Sequence, residues 1–427
     1  MKVMMDKQIG GVAMLGFAVL ASGCSGGGQS SLPTAAKSSG TTAGSAKATL
    51  TIRIPARNAS VASAKRSPKY VSAFTTELAI RAGVSGSIGT AAWQIFNVGP
   101  TAPASPNVSC STDPTSGVRT CVATVTAPAV QGGVDEFQIG ATDSTTVATD
   151  TQPTGNFLST GDTTQTVTVG AANAVKVALT PVIGKLVAAP TAYSVWAAPG
   201  QSANVVASIT AKDIDGGVIF GQPSAFANPL TFADGLPASP FTYPSANLAA
   251  TPPNYGLPPP ATAGPVLATI AYLAPATGVA GTAATVTVST IIPDYLPPPT
   301  TPPTTTFTLD AMVVSVASAP VGSFANLIQG KPVAVMVNEP GATSFTVTDN
   351  ATTEITLLNA AGTASIVPGQ TIPAAGVPTF QISPVGTVSA ATGATITITS
   401  NIGTVATLPV VITAPAAAPA AALHAVR

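Results

Sequence analysis

Apolar and polar residues alternate along much of this chain, the signature of a half-buried β-strand. In Thr49 to Pro55 (TLTIRIP), Leu50, Ile52 and Ile54 fall on one face and Thr51 and Arg53 on the other. The same period predicts strands at Glu77 to Ala82, Trp93 to Val98, Cys121 to Ala127 and Glu136 to Ala141. Thr164 to Thr180 reads as a hairpin, with Val167 and Val169 before a GAAN turn and Val175, Val177 and Leu179 after it. Farther on, Ser202 to Gly221 reads as strand, turn and short strand, followed by strands at Pro265 to Ala274 and Ala283 to Ile292. Lys331 to Gly341 predicts another strand. Ser344 to Asn359 and Ala394 to Thr413 read as hairpins turning at DNAT and SNIG, where Asn and Gly tolerate positive φ.

Turn signals and composition shifts divide these strands into three β segments. The first spans 48–183, the second 184–310 and the third 311–413, with an Ala/Pro-rich tail at 414–427. The second carries proline tracts, Pro252 to Pro260 and Pro293 to Thr306, which favour extended spacers or long loops. Strands at intervals of about 10 residues predict an all-β fold of two or three sandwich modules in tandem.

Composition agrees. Only 7% of the 427 residues are charged, and Gly (39) and Pro (40) are abundant. With 45% hydrophobic residues and no net charge, the chain is unlike a disordered one. Charge balance also gives no electrostatic case for nucleic acid. One basic cluster, Arg57, Lys65, Arg66 and Lys69, reads as a solvated loop or as a contact for anionic headgroups near the N-terminus.

The N-terminus has the layout of an export signal. Lys2 and Lys7 precede an apolar run, Ile9 to Leu20, and small residues lead to Cys24. The run is too short to span a membrane. The stretch LASGC resembles the lipobox of bacterial lipoproteins, although Ala21 stands where that family usually has Leu. The resemblance implies a signal peptide at 1–23, cleavage between Gly23 and Cys24, and lipidation of Cys24. The Gly/Ser-rich residues 24–47 would then be a flexible tether. Two or three acyl chains hold a protein firmly where one does not. Ser25 is compatible with export to the outer membrane. The β modules themselves, of about 100–130 residues, resemble bacterial immunoglobulin-like domains of cell-surface proteins.

Candidate chemistry is sparse. The single histidine, His424, is followed by three residues and cannot build a Ser-His-Asp or Cys-His arrangement on a rigid scaffold. After Cys24 there are four Glu and eleven Asp, and no pair stands out as two opposed catalytic carboxylates. No phosphate-binding Gly loop is present. No catalytic residue, cofactor or metal site is therefore assigned. Asp213, Asp215 and Gly216 open like a calcium loop, but Ser224 stands where the closing Glu belongs, and a hydrogen-bonded turn is the simpler reading.

Cys110 and Cys121 flank a loop with Asp-Pro and Ser-Gly turn signals, which predicts a structural disulfide; two free buried thiols are the alternative. Trp93, Trp196, Tyr193, Tyr243, Tyr255, Tyr272 and Tyr295 suit core packing or stacking on sugar rings. The expectation is an exported, lipid-anchored cell-envelope protein with a structural, adhesive or display role, and not an enzyme. The alternative is a carbohydrate-binding surface lipoprotein. Its partners would be the membrane, through the N-terminal lipid, and a surface glycan or another envelope protein.

Overall fold

The computed structural model describes residues 44–56, 71–102, 105–130, 133–144, 152–220, 226–244, 257, 259–260, 264–277, 280–291, 301–317, 327–328, 332–350, 354–375, 379–385 and 392–413. The expected signal peptide with Gly23 and Cys24, the expected tether as far as residue 43, the basic cluster, most of both proline tracts, Tyr255, Tyr295 and the tail with His424 lie outside them. The described residues are all-β, with no α-helix and one 3-10 turn at Ile88–Thr90. They are arranged as β-sandwiches around three hydrophobic cores.

The first core lies between two sheets. The strands are β1 (Ala46–Ile54), β2 (Glu77–Val84), β3 (Gln94–Asn97), β4 (Val108–Thr112), β5 (Arg119–Ala127), β6 (Asp135–Thr142), β7 (Phe157–Gln165), β8 (Asn173–Val175) and β9 (Thr180–Pro181). One sheet has the order β4-β5-β1-β8 and the other β3-β2-β6-β7-β9. With β1 taken as strand B, these orders are D-E-B and C′-C-F-G, the Greek key of an immunoglobulin sandwich. The place beside strand B is filled by β8, which runs parallel to β1. Alternation decides the faces: Ala48, Leu50, Ile52 and Ile54 are buried, while Thr51 and Arg53 are exposed. They meet Leu78, Ile80, Phe137 and Ile139 from the facing sheet. Each such fully buried side chain contributes ~1.5–3 kcal/mol.

The second core follows. Its strands are β10 (Lys185–Ala188), β11 (Ala192–Ala197), β12 (Ser202–Lys212), β13 (Leu230–Ala233), β14 (Phe241–Thr242), β15 (Val266–Leu273), β16 (Thr282–Thr290) and β17 (Thr304–Val316). The orders β10-β12-β15-β14 and β13-β16-β17 are A-B-E-D and C-F-G. The chain crosses from the first sheet to the second between β10 and β11, where Ala189–Pro190 is cis, and β11 then pairs parallel with β17.

Strand β17 belongs to two cores. Thr304 to Ala311 pair with β16, and Val313 to Val316 pair with a strand of the region that follows. That next region comprises β18 (Leu327–Ile328), β19 (Val333–Asn338), β20 (Ser344–Asp349), β21 (Ile355–Leu358), β22 (Thr371–Pro373), β23 (Phe380–Pro384), β24 (Thr392–Ser400) and β25 (Val405–Thr413). The partner of Val313 to Val316 is β19, and the sheet continues as β19-β23-β21. The opposite sheet is β18-β25-β24-β20-β22. Phe307, Leu309, Ala311 and Val313 face the second core, and Met312 and Val314 face the third. Residues 310 and 311, where the sequence pattern changes segment, sit mid-strand in β17.

Two expected hairpins are not hairpins. After β7 the chain crosses to the opposite sheet, where β8 pairs with β1 instead of folding back on Val167 and Val169. Asn173 drives this crossing, since its Nδ2 donates to the Lys47, Thr168 and Ala171 carbonyls. Likewise β20 pairs with β22 and β24, while β21 pairs with β23 in the other sheet. Strand-like alternation is identical for neighbours in one sheet and for strands that face each other across a core, so the period alone could not distinguish these cases. Ala394 to Thr413 does fold as a hairpin, β24 with β25.

Candidate functional site

The outer face of the sheet β3-β2-β6-β7 carries the most developed cluster of polar and aromatic side chains. Because Phe137, Ile139 and Ala141 point into the core, Glu136, Gln138 and Gly140 point outward. Arg81 stands directly across from Gln138 on β2, and Asp162 directly across on β7. Trp93, just before β3, lies over Arg81, with the guanidinium carbon 4.6 Å from the ring centroid. A contact of this kind contributes ~0.5–2 kcal/mol.

Arg81 organises its neighbours. Its Nε donates to Gln138 Oε1 at 2.7 Å and its Nη1 to the Gly89 carbonyl at 3.3 Å. An arginine only donates, so this bond fixes the Gln138 amide with its NH₂ left over as a donor. Burial pushes the Arg81 guanidinium down from its ordinary value, and the Glu136 carboxylate pulls it back up. Glu136 in turn accepts from the Gly86 N–H at 2.9 Å.

Beyond Gln138 the face is shaped by a missing side chain. A Cβ at Gly140 would stand 2.2 Å from a carbon of the Phe157 ring, so glycine lets that ring lie across the sheet. A register shift between Ala141 and Thr142 in the β6–β7 pairing brings Phe157 opposite Thr142 and turns it onto this face. Trp93 and Phe157 thus flank a cleft of about 250 Å³ whose floor carries Gln138, Thr160 and Asp162. Thr160 is 5% exposed, and its hydroxyl has no hydrogen-bond partner among the described residues.

The other residues singled out by sequence lie elsewhere. Cys110 and Cys121 are disulfide-bonded with Cα atoms 4.0 Å apart. They are direct partners in β4 and β5, so the bond lies within one sheet and not between the two, as it does in antibody domains. Asp213 is fully buried. Its Oδ1 accepts from the Gly217 N–H at 2.6 Å and its Oδ2 from the Ser72 hydroxyl at 2.7 Å. The Asp213–Gly217 turn therefore ties the second core's sheet to the loop before β2. Among the described residues no three His, Cys, Asp or Glu side chains cluster as metal ligands.

Tyr272 is fully buried, and Tyr193, Tyr243 and Trp196 are partly buried. Tyr193 is a packing residue. Its ring meets Phe307 edge-on at 5.1 Å, and its hydroxyl accepts from the Ser208 N–H at 2.7 Å. Trp196 packs against the third core from β11. Of the aromatics named from sequence, Trp93 alone lines the cleft. Phe157, Gln138, Thr160 and Asp162 were not picked out, because their convergence depends on strand register.

No family model and no curated protein matches the chain. Among solved structures, it is similar to extracellular domains 3–5 of Drosophila OTK, with 8% identity and a TM-score of 0.21 over 79% of this chain and 86% of that one. It is also similar to the full ectodomain, Ig1–Ig3, of mouse nectin-like molecule 4, with 9% identity and a TM-score of 0.18 over 88% and 96%. A third similarity is to cadherin domains 1–4 of protocadherin Gamma B7, with 9% identity and a TM-score of 0.17 over 82% and 72%. At TM-scores this low, none of these likenesses bears on function.

Proposed function

We propose that this chain is an exported, lipid-anchored protein of a bacterial cell envelope. Its β-sandwich modules, arranged in tandem with β17 common to the second and third cores, serve a structural, adhesive or display role. The observation that carries the reading is the Cys110–Cys121 disulfide. Disulfides persist in oxidising compartments outside the cytosol. The bond also occupies two of the three cysteines and leaves Cys24, at the end of a signal-like segment, without either as an intramolecular partner. The lipobox-like LASGC and the Gly/Ser-rich stretch after it supply the anchor and the tether.

The test is metabolic labelling with a palmitate analogue, combined with protease shaving of intact cells. The native chain takes up label and is shaved from the surface. A Cys24→Ala variant takes up none and leaves the detergent phase. Label retained by that variant would remove the anchor from the proposal.

A second reading, a carbohydrate-binding surface lipoprotein, is favoured by the Trp93–Phe157 cleft.

A further inference from the structure

We infer that the cleft between Trp93 and Phe157 is a binding site for one ring of a neutral saccharide. This deepens the carbohydrate-binding reading above and rests on it, and the site is argued from its own chemistry.

Two aromatic rings border the cleft, and between them stand the Gln138 amide and the Asp162 carboxyl group. A sugar ring matches this combination. Its C–H faces lie against aromatic rings, and its edge is a row of hydroxyls that both donate and accept. Gln138 offers the NH₂ that Arg81 leaves unused. Asp162 offers its carboxyl oxygens as acceptors.

Thr160 shapes the cleft without bonding into it, because its hydroxyl oxygen has almost no accessible surface. The charges narrow the ligand further. An anion would meet the Asp162 carboxylate, and a cation would meet Arg81, whose charge is already engaged by Trp93 and Glu136. A neutral polyhydroxylated ligand meets neither obstacle. At about 250 Å³ the space falls just under the ~300–1,000 Å³ of drug-sized sites, which suits one ring with its neighbours in solvent.

The site is also held in place before any ligand arrives. Arg81 pins Trp93 from beneath and Gln138 from the side, so little ordering remains to oppose binding.

The experiment uses the purified full-length chain. Saturation-transfer NMR screens glucose, galactose, mannose, N-acetylglucosamine and their short oligomers, and titration calorimetry measures the hits. At least one saccharide should bind saturably. Trp93→Ala should weaken it about tenfold or more, equivalent to ~1.4 kcal/mol. Trp93→Phe, which keeps a ring, should lose much less. Asp162→Asn, close in shape to the native residue, should weaken binding several-fold while the melting temperature stays within a few degrees.

No saturable binding across the panel would overturn the proposal. So would binding indifferent to Trp93→Ala and Asp162→Asn, or Trp93-dependent binding of a proline-rich peptide in place of a saccharide. Saccharide binding without palmitate labelling would refute the anchor alone, and labelling without saccharide binding would refute the cleft alone.

Discussion

Met312 and Val313, neighbours in β17, face different hydrophobic cores: Met312 packs in the third and Val313 in the second. Side chains alternate in a strand, so one continuous strand can serve two sandwiches only where both faces are covered. Ala311 to Ser315 are accordingly buried without a break.

This sharing predicts coupled loss of structure. Inserting one alanine between Ala311 and Met312 exchanges the faces of every residue beyond it, turning Met312 and Val314 out of the third core. Hydrogen exchange should then show protection lost in β24 as well as in β17. Met312→Ala, which keeps the register, should cost about 2–5 kcal/mol. An insertion that leaves β24 fully protected would show that the two cores do not depend on a common register.

Gly140 and Phe157 form a second coupled pair. Gly140→Ala places a Cβ against the Phe157 ring and should destabilise by about 1–3 kcal/mol. In a Phe157→Ala background the same change should cost much less. Urea unfolding of the two single variants and the double variant gives the coupling, expected at about 0.5–3 kcal/mol. Additive costs would mean that the ring does not rest on the glycine.

Glu339 predicts the pH dependence. It is 5% exposed and accepts from the Thr404 hydroxyl. Burial raises its pKa, the Ser400 and Thr404 hydroxyls oppose this, and the nearby Asp310 carboxylate adds to the rise. Asp310 is itself raised by burial. A raised folded value means the native state holds its proton longer than the unfolded chain does. This contribution to stability is therefore fully present below the unfolded carboxylate value of about 4.3 and is lost as pH rises through the folded value. Glu339→Gln should flatten that decline, and at neutral pH it should unfold at a urea concentration no lower than the native chain. A slope unchanged by the substitution would place its origin elsewhere.

The disulfide predicts a loss that reduction should reproduce. Cys110 and Cys121 are 11 residues apart. Opening a loop of this size costs about 3 kcal/mol on the chain-entropy account. The Cys110→Ser/Cys121→Ser double variant and the reduced native chain should unfold at the same lowered denaturant midpoint. Different midpoints would mean that the serines add a cost of their own.

Ser72 and Asp213 join elements of the first two cores through a buried hydrogen bond. Ser72→Ala should cost about 1–3 kcal/mol, since a buried acceptor loses its donor. Asp213→Asn should cost less, because the amide oxygen still accepts from the Gly217 N–H and the NH₂ can donate to the Ser72 hydroxyl oxygen. Melting curves of the two variants decide the order.

Much of the fold was legible in the sequence where one face of a long strand is buried. Ala46–Ile54 and Thr392–Ser400 announce themselves by alternation alone. Short strands such as Phe241–Thr242 and Thr180–Pro181 are too brief to show a period, and their existence depends on the sheet beside them. At Ala311 to Val314 alternation gives way to an unbroken apolar run, a sign of burial on both faces, but the segment boundary at 310/311 passed over the shared strand. The site was only partly legible. Trp93 could be named, but not the residues it faces. One signal was present: Gly140 occupies an outward position in an otherwise well-filled strand, which marks a close approach from above.

A load applied along the chain would meet no slack between the second and third cores. Thr308 to Ala311 of β17 are bonded on both sides, to β11 and to β16, Val313 is bonded to β11 and to β19, and Val314 to Val316 are bonded to β19. Tension entering this strand would pull entire rows of hydrogen bonds in shear, all of them loaded together, and could not peel them one by one from an end. The peptide that joins these two sandwiches is thus also the part best placed to resist being drawn out.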